Sequence, residues 1–398
     1  MPPSELYLDH AATTPLDPEV ADRVAQVQAD VFGNPSSPHA PGRRARQLLD
    51  EAREQILAAL GCSTAQLVFT SGATEANHLA VLGLLPAEPP PDRPLRLATS
   101  SRDHESLRLA AAATQHKAEV NSLPLAATGQ LDQAAVTDWL RLNPEAGSQP
   151  TTTLLLATTL VCGQTGAIED MTSLRGLLAQ WAPQCLLHTD ATQAVGRLPI
   201  DFYGLGVTSL CFAPHKFGGP RGIGCLVLRP GLDLKPLLHG AQQFQLRGGT
   251  EPVSLVAGCQ LAVSLAVARQ QAEAARLDTL RQRFELQLAS CGRYAGIEPV
   301  VIAAAGPRSP HISTVAFPGI DRQAFVMAAD LTGLAVATGT ACASGSSEPA
   351  PALTAMGIER RLVQGAVRFS FGRSTTISDI DEAIARISQL LQSSQPAA

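Results

Sequence analysis

Two stretches near the start of the chain, DPEVADRVAQVQADVF from position 17 and GRRARQLLDEAREQILAALG from position 42, carry apolar residues at helical spacing. The second ends at Gly61, a helix-stop signal. The period then changes to short apolar runs: QLVFTSG, LRLATSS, TTTLLLATT, CLLHTDA, SLCFAPH and GIGCLVLR, most of them separated by segments that could hold a helix. Continuous apolar strands alternating with helices predict an α/β fold whose sheet is mostly parallel and covered on both faces. Ligands of such sheets bind at the carboxyl ends of the strands. Positions 252–291 read as one or two long helices leaving the sheet, and the shorter strands ISTVAF and AVRFSFG with a final helix near ISDIDEAIARISQLL predict a smaller second unit. The proline-rich LLPAEPPPDRPLR reads as an exposed connection.

Composition removes several classes of function. A net charge of −5, the lack of a basic run and 4% aromatic residues leave no footprint for nucleic acid. The opening MPPSELYLDH has neither a basic nor an apolar leader, and no apolar run is expected to approach a membrane span, so the chain reads as cytoplasmic. Eight cysteines in 398 residues form no disulfide framework and no metal-ligand spacing, so no metal is expected. Cys162, Cys185, Cys211, Cys225 and Cys259 lie in apolar segments as packing residues, with Cys62 and Cys291 near helix ends. Cys342 differs: it stands in ATGTACASGSSEP among small residues, where a loop thiol can react.

Three features fall at the strand ends. In FTSGATEANHLAVLG a strand passes through Gly72 into a helix, so the amides near Ala73 and Thr74 can hold a phosphate, although strand-turn-helix units with glycine are common. Asp190 ends LLHTDATQAVG, where it could equally cap a helix, and His215 and Lys216 end CFAPHKFGGPRGIG beside glycines that permit close backbone approach. Lys216 alone reads as well as a solvated lysine. Together, a phosphate cradle, an acid and an amine at neighbouring strand ends are what pyridoxal phosphate requires: an anchor, a Schiff-base lysine and a partner for the pyridinium nitrogen. His104, in SSRDHESL after another strand, could stack on the ring and relay protons.

The ordered motifs YLDHAATTPLDPEV, FGNPSSPHAPGRRAR, FTSGATEANHLA, HTDATQAVGRLPID, HKFGGPRGIG, RGGTEPV, GTACASGSSEP and VRFSFGRSTTISDID span nearly the whole chain. The sequence resembles the cysteine desulfurases, iron–sulfur-cluster type (group I), within the class V aminotransferase family of pyridoxal phosphate enzymes. The resemblance implies a fold-type I aminotransferase. Its large domain, 16–255, would hold a mostly parallel seven-stranded sheet covered by helices, with 1–15 and 256–398 forming a smaller α+β domain that carries the catalytic cysteine loop. It also implies roles. Lys216 would carry the cofactor and shuttle the Cα proton, Asp190 would bind the pyridine nitrogen, Gln193 the phenolic oxygen, and His104 would stack on the ring. Ala73, Thr74 and His215 would hold the phosphate, joined by Thr250 from the second subunit of a homodimer. Arg368, helped by Asn34, would clamp the carboxylate of L-cysteine, and Cys342 would take its sulfur as a persulfide and pass it to a sulfur-acceptor or iron–sulfur scaffold protein.

The chain departs from the family pattern at several places. Cys162, Gly163 and Gln164 stand where the family usually has NNE, Ala213 replaces a serine two residues before the His-Lys pair, His78 replaces an asparagine, and HGAQQFQLRGGT replaces a glycine-rich segment. Two other readings accompany the main one: another class V lyase or transaminase, such as one preferring selenocysteine, and a sulfur-carrier scaffold without catalysis.

Overall fold

The computed structural model describes residues 5–86, 95–141, 153–294, 296–339 and 348–393. The chain enters through β1 (Leu6–Tyr7), α1 (Pro18–Asp30) and α2 (Ala40–Ala59). Helix α2 stops as the sequence predicts: Gly61 takes a left-handed φ of 66°, and the Cys62 amide returns to the Leu57 carbonyl at 2.9 Å. An alternating section follows: β2 (Gln66–Thr70), α3 (Ala73–Leu84), β3 (Leu95–Ser100), α4 (Glu105–Ala112), β4 (Ala118–Leu123), α5 (Gln133–Arg141), β5 (Thr153–Thr159), α6 (Met171–Trp181), β6 (Leu186–Asp190), β7 (Ser209–Phe212) and β8 (Gly224–Leu228). Helix α7 (Val253–Tyr294) leads to β9 (Val300–Val301), β10 (Ile312–Ala316), α8 (Arg322–Leu331), β11 (Leu334–Ala335), α9 (Pro351–Ala355), α10 (Arg360–Gln364), β12 (Ala366–Ser370) and α11 (Ile377–Ser393).

Seven strands form one sheet in the order β2-β8-β7-β6-β5-β3-β4, and only β8 runs against the others. The apolar runs correspond to six of these strands. The seventh, β4, lies at the sheet edge, is buried only at its two ends and carries too many polar side chains to read as an apolar run. Both faces of the central strands are covered, as continuous apolar runs require. Leu154, Leu156, Leu210, Phe212 and Val227 join one core cluster, while Leu155, Ala157, Cys211, Leu226 and Leu228 join another on the opposite face.

A further core lies beyond the main sheet. Strands β9, β10 and β12 form an antiparallel sheet, and β1 pairs with β11. Phe284, Phe317, Phe325, Phe369 and Phe371 pack there against α11. Helix α7 serves both regions: Val256, Cys259 and Val263 pack on the main-sheet core, and Leu277, Leu280, Phe284 and Leu288 on the second. The sequence expectation of no membrane-length apolar run needs correction here. Positions 253–268 carry no charged side chain, so α7 is long and apolar enough to cross a membrane by length and composition. Its placement against α1, α2 and α11 accounts for that apolarity as core packing.

Candidate active site

Asp190 ends β6 and Lys216 follows β7, so the parallel pairing of these strands brings both residues to one edge of the sheet. Strand β2 runs in the same direction and delivers Gly72 and the start of α3 to that edge. The sequence reading therefore placed the acid, the amine and the phosphate cradle in one neighbourhood.

Asp190 is 3% exposed, and its charge is held by two donors. The Thr192 amide donates to Oδ1 at 2.9 Å and the Asn77 side-chain amide donates to Oδ2 at 2.9 Å. Asn77, on α3, is fully buried and uses the rest of its amide as well. Its Nδ2 donates to Ser106 Oγ at 3.0 Å, and its Oδ1 accepts from His188 Nε2 at 2.9 Å and from the Cys211 thiol at 2.9 Å. His188 completes its pairing with Ser209 Oγ at 2.8 Å. Burial lowers the His188 pKa to about 4 despite the nearby Asp190 charge, so the ring is neutral. One tautomer satisfies both contacts, with the proton on Nε2. Burial likewise raises the Cys211 thiol well above its ordinary value, which keeps it a donor.

The network continues to the proposed stacking residue. Ser106 Oγ meets His104 Nδ1 at 2.7 Å, and the Ser106 amide donates to the same nitrogen at 3.1 Å. His104 is thus the N-cap of α4 with its ring exposed. Hydrogen bonds run without a break from Asp190 through Asn77 and Ser106 to His104. Sequence reading passed over Asn77 and His188.

Lys216 Nζ donates to the carbonyls of Ala11 at 2.8 Å and Ala12 at 2.6 Å, and Gln193 Nε2 donates to Ala11 O at 2.8 Å. His311 Nε2 lies 3.1 Å from Gln193 Oε1 and so fixes that amide's orientation. His215 Nδ1 lies 3.1 Å from Thr13 Oγ1, and burial, reinforced by Lys216 and Arg221, lowers its pKa to about 4. At the cradle, Thr74 is exposed and Ala73 half-buried in the first turn of α3, where helix amides lack intrahelical acceptors. A Cβ on Gly224 would lie 2.4 Å from the Gly72 carbonyl carbon, so β8 reaches the cradle only because it starts with glycine. Glu75 in the same turn is paired with Arg247 at 2.9 Å and with the Ser71 amide, which offsets its negative charge beside the expected phosphate cradle.

Arg368, on β12, is 3% exposed. Its Nη1 donates to Gly163 O at 2.8 Å and its Nη2 to Asp9 Oδ1 at 2.7 Å, while its buried Nε has no partner among the described residues. Ala337 bridges to Arg368 through both backbone groups, so the chain leaves beside Arg368 for the segment that holds Cys342. Cys342 itself lies outside the described residues. Asn34 is exposed and turns Oδ1 onto the Ser36 amide, which gives it no contact with Arg368 among the described residues. Thr250 is exposed on the stretch leading to α7. The residues fit pyridoxal phosphate: a buried acid fixed by two donors, a lysine one strand away, helix amides approached by a glycine strand, and a buried guanidinium with a donor to spare.

The class-V aminotransferase family model matches residues 6–383. The chain belongs to that family. It is 34% identical to an IscS-like cysteine desulfurase of Mycobacterium tuberculosis, over 95% of this chain and 94% of the relative, and 33% identical to the cysteine desulfurase IscS of Dictyoglomus turgidum, over 98% and 96%. Among solved structures it is similar to a NifS-like protein, with a TM-score of 0.86 at 25% identity covering 97% of this chain and 99% of that one. It is also similar to SspA in complex with cysteine, with a TM-score of 0.75 at 26% identity covering 93% and 99%. These relatives place it in the cysteine desulfurase branch of the class-V family and give it the fold-type I architecture.

As a class-V family member the chain accommodates its departures in specific ways. A Cβ on Gly163 would lie 3.6 Å from Gln193 Nε2, so the glycine leaves open the space that a side chain would fill there. Gln164 has a task in the fold. Its Oε1 accepts the Ala352 amide at 3.0 Å, on one flank of segment 340–347, and a Cβ on Gly339, on the other flank, would lie 3.8 Å from its carbonyl oxygen. His78 turns back to the Thr74 carbonyl at 2.9 Å. In the replaced HGAQQFQLRGGT segment, Gln243, Phe244 and Gln245 take φ of 47°, 60° and 65°, a left-handed run of non-glycine residues. It is held by Gln243, whose Oε1 accepts the Phe69 amide at 3.1 Å.

Proposed function

We propose that this protein is a pyridoxal phosphate-dependent cysteine desulfurase that converts L-cysteine to L-alanine and leaves the sulfur as a persulfide on Cys342. The observation that carries the reading is the convergence of Asp190, Lys216 and Arg368 with the flanks of the Cys342 segment, which start at Ala337 beside Arg368. The overall exchange balances: a cysteine and an enzyme thiol become an alanine and an enzyme persulfide.

When bound, pyridoxal phosphate supplies the electron sink that cleavage at the substrate's Cα needs. The protein's residues do the remaining work. Asp190, fixed by Asn77 and Thr192, holds a proton on the ring nitrogen, and His104 covers the ring. Ala73, Thr74 and His215 receive the phosphate, with Thr250 of a homodimeric partner completing that site, and Gln193 meets the phenolic oxygen. Lys216 Nζ takes the Cα proton and returns one to the product. Arg368, with Asn34, orients the substrate carboxylate. The Cys342 thiolate forms the new S–S bond, and the small residues around it allow it to carry the sulfur to an acceptor protein of the iron–sulfur or a related pathway. We assign these tasks to a large domain, 16–255, and to a small domain, 1–15 with 256–398, in a cytoplasmic enzyme.

The test is a turnover assay with cysteine in which alanine and sulfide are measured together. Matched alanine and reductant-released sulfide are expected from the parent, and cofactor without sulfur release from Cys342→Ala. Sulfide from Cys342→Ala at the parental rate would move the protein to the lyases.

A further inference from the structure

A cavity lies apart from the residues assigned to the reaction. It encloses about 450 Å³ between the segment preceding α1, the middle of α7 and the turn after β12. That volume falls in the range of small-molecule sites, roughly 300–1,000 Å³. Its walls include Phe217 and Gly218, directly after Lys216, and Gly196 and Arg197, shortly after Asp190.

The charges on its walls are unequal. Arg197, Arg269, Arg276 and Arg373 face only Asp17 and Glu273. Three of the guanidiniums are engaged. Arg269 bonds Asp17 at 3.3 Å and Glu19 at 2.8 Å, and Arg373 pairs with Asp17. Arg276 pairs with both oxygens of Glu273 at 2.9 Å and donates to the Thr375 carbonyl at 2.6 Å and the Gly372 carbonyl at 2.9 Å. Arg197 is the exception. It is 6% exposed and, among the described residues, its Nε makes no hydrogen bond and its one side-chain hydrogen bond is 3.4 Å long, from Nη2 to the Lys216 carbonyl. A guanidinium has five N–H donors, and a buried one left with a single long bond calls for a missing acceptor. His10, a second wall residue, is held neutral by burial and by Arg197 itself, with a pKa of about 4. Most of the remaining wall is apolar, with Leu16, Val20, Phe217, Leu265 and Ala266, and Thr14 and Ser374 add two hydroxyls.

We propose that this cavity binds an amphiphilic organic anion, a carboxylate whose head pairs with Arg197 and whose apolar body lies against Leu16, Val20, Phe217 and Leu265. The anion supplies the acceptor that Arg197 lacks and offsets the excess positive charge, and an apolar chain removes the remaining wall from water. A small hydrated anion would leave the apolar wall uncovered. Arg197 also touches the Lys216 carbonyl, which puts the occupant one residue from the proposed catalytic amine. The inference does not depend on the reaction assigned above.

Decanoate, kept below its micelle concentration, is the probe, and decyltrimethylammonium is the control of matched chain and opposite charge. Calorimetric titration into the full chain saturated with pyridoxal phosphate is expected to show one decanoate site per chain with Kd below about 1 mM, and no saturable binding of the cation. Arg197→Met should weaken decanoate about tenfold or more, as expected for losing a charge-assisted hydrogen bond. Leu265→Trp and Ala266→Phe, which fill the cavity from α7, should each remove binding, with circular dichroism confirming the fold of whichever is used. Absence of saturable binding overturns the proposal, as do equal affinities for the two probes. Parental decanoate affinity in Arg197→Met or in a folded cavity-filled variant overturns it as well.

Discussion

Asn77 and Arg197 are both buried polar side chains one contact away from a proposed catalytic residue, and their surroundings are finished differently. Asn77 touches Asp190, Ser106, His188 and Cys211, all at 2.9 to 3.0 Å, and every group in that cluster has a partner within the protein. Arg197 has one bond of 3.4 Å and an orphan Nε at the edge of a cavity. A closed network holds its members in one arrangement and makes any gap costly, because the groups left behind cannot reach water. An open cluster has already borne that desolvation and keeps unused donors. The first suits a residue that must not move, as Asp190 must not if it is to hold a ring proton. The second suits a place that something else completes.

Removing the centre of the closed network should have the largest effect. Asn77→Ala strips partners from a carboxylate, an imidazole and a thiol at once, and the expected loss is about 3–5 kcal/mol of unfolding free energy. Denaturant unfolding measures it. The same variant should also bind pyridoxal phosphate more weakly, seen as a raised Kd in absorbance titration, since Asp190 loses one of its two holders. A loss under about 1 kcal/mol would mean that the cluster is not cooperative and that the contrast with Arg197 is only geometric.

A second way to separate the clusters uses pH. His188 in the closed network and His10 beside Arg197 both have pKa values lowered from 6.5 to about 4, chiefly by burial, but Arg197 adds to the shift of His10 whereas Asp190 opposes that of His188. Between those pH values the unfolded chain binds a proton at each position and the folded chain does not. Stability therefore falls as pH drops from 6.5 towards 4 and levels off below, by up to about 3 kcal/mol for one such group. His188→Gln keeps a donor for Asn77 Oδ1 without the titration. It should flatten the slope of unfolding free energy by about one proton's worth, roughly 1.4 kcal/mol per pH unit, and leave the share of His10 in place. An unchanged slope would show that His188 is not the neutral link of the network.

The strand ends were legible in the sequence because apolar runs of a covered sheet stand out and a charge at the end of one is conspicuous: Asp190 and Lys216 were both found that way. The edge strand β4 was not, since a half-exposed strand lacks such a run. Asn77 carried a signal that went unused. It sits in ATEANHLAVLGL, a helix with almost no polar face, where a lone amide has nowhere to go but inward. His188, two residues before Asp190, is buried by β7 and by α3 more than a hundred residues upstream. No local pattern in LLHTDA marks it. Arg197 is harder still: nothing in GRLPID marks it for burial, and it is α7, some seventy residues further along, that packs beside it. Gln164 stands in the sequence only as part of the replacement for the family's NNE, while the fold gives it the amide of Ala352 to hold.

The smallest effect is expected where the comparison is sharpest. Arg197→Met removes a buried guanidinium whose single bond is long and replaces it with an unbranched apolar side chain against Phe217 and Leu265. Losing a poorly paired buried charge relieves its desolvation, and that gain offsets the lost attraction to Glu273 and the bond to the Lys216 carbonyl. Unfolding free energy in the absence of added anions should therefore change by no more than about 1 kcal/mol, against the several lost in Asn77→Ala. The spread between the two variants is the quantity to measure, under one buffer and with both proteins cofactor-saturated, because it cancels errors of extrapolation common to both. A loss of about 3 kcal/mol or more in Arg197→Met would show that the guanidinium is already fully paired in the free protein, and the two clusters would then be of one kind.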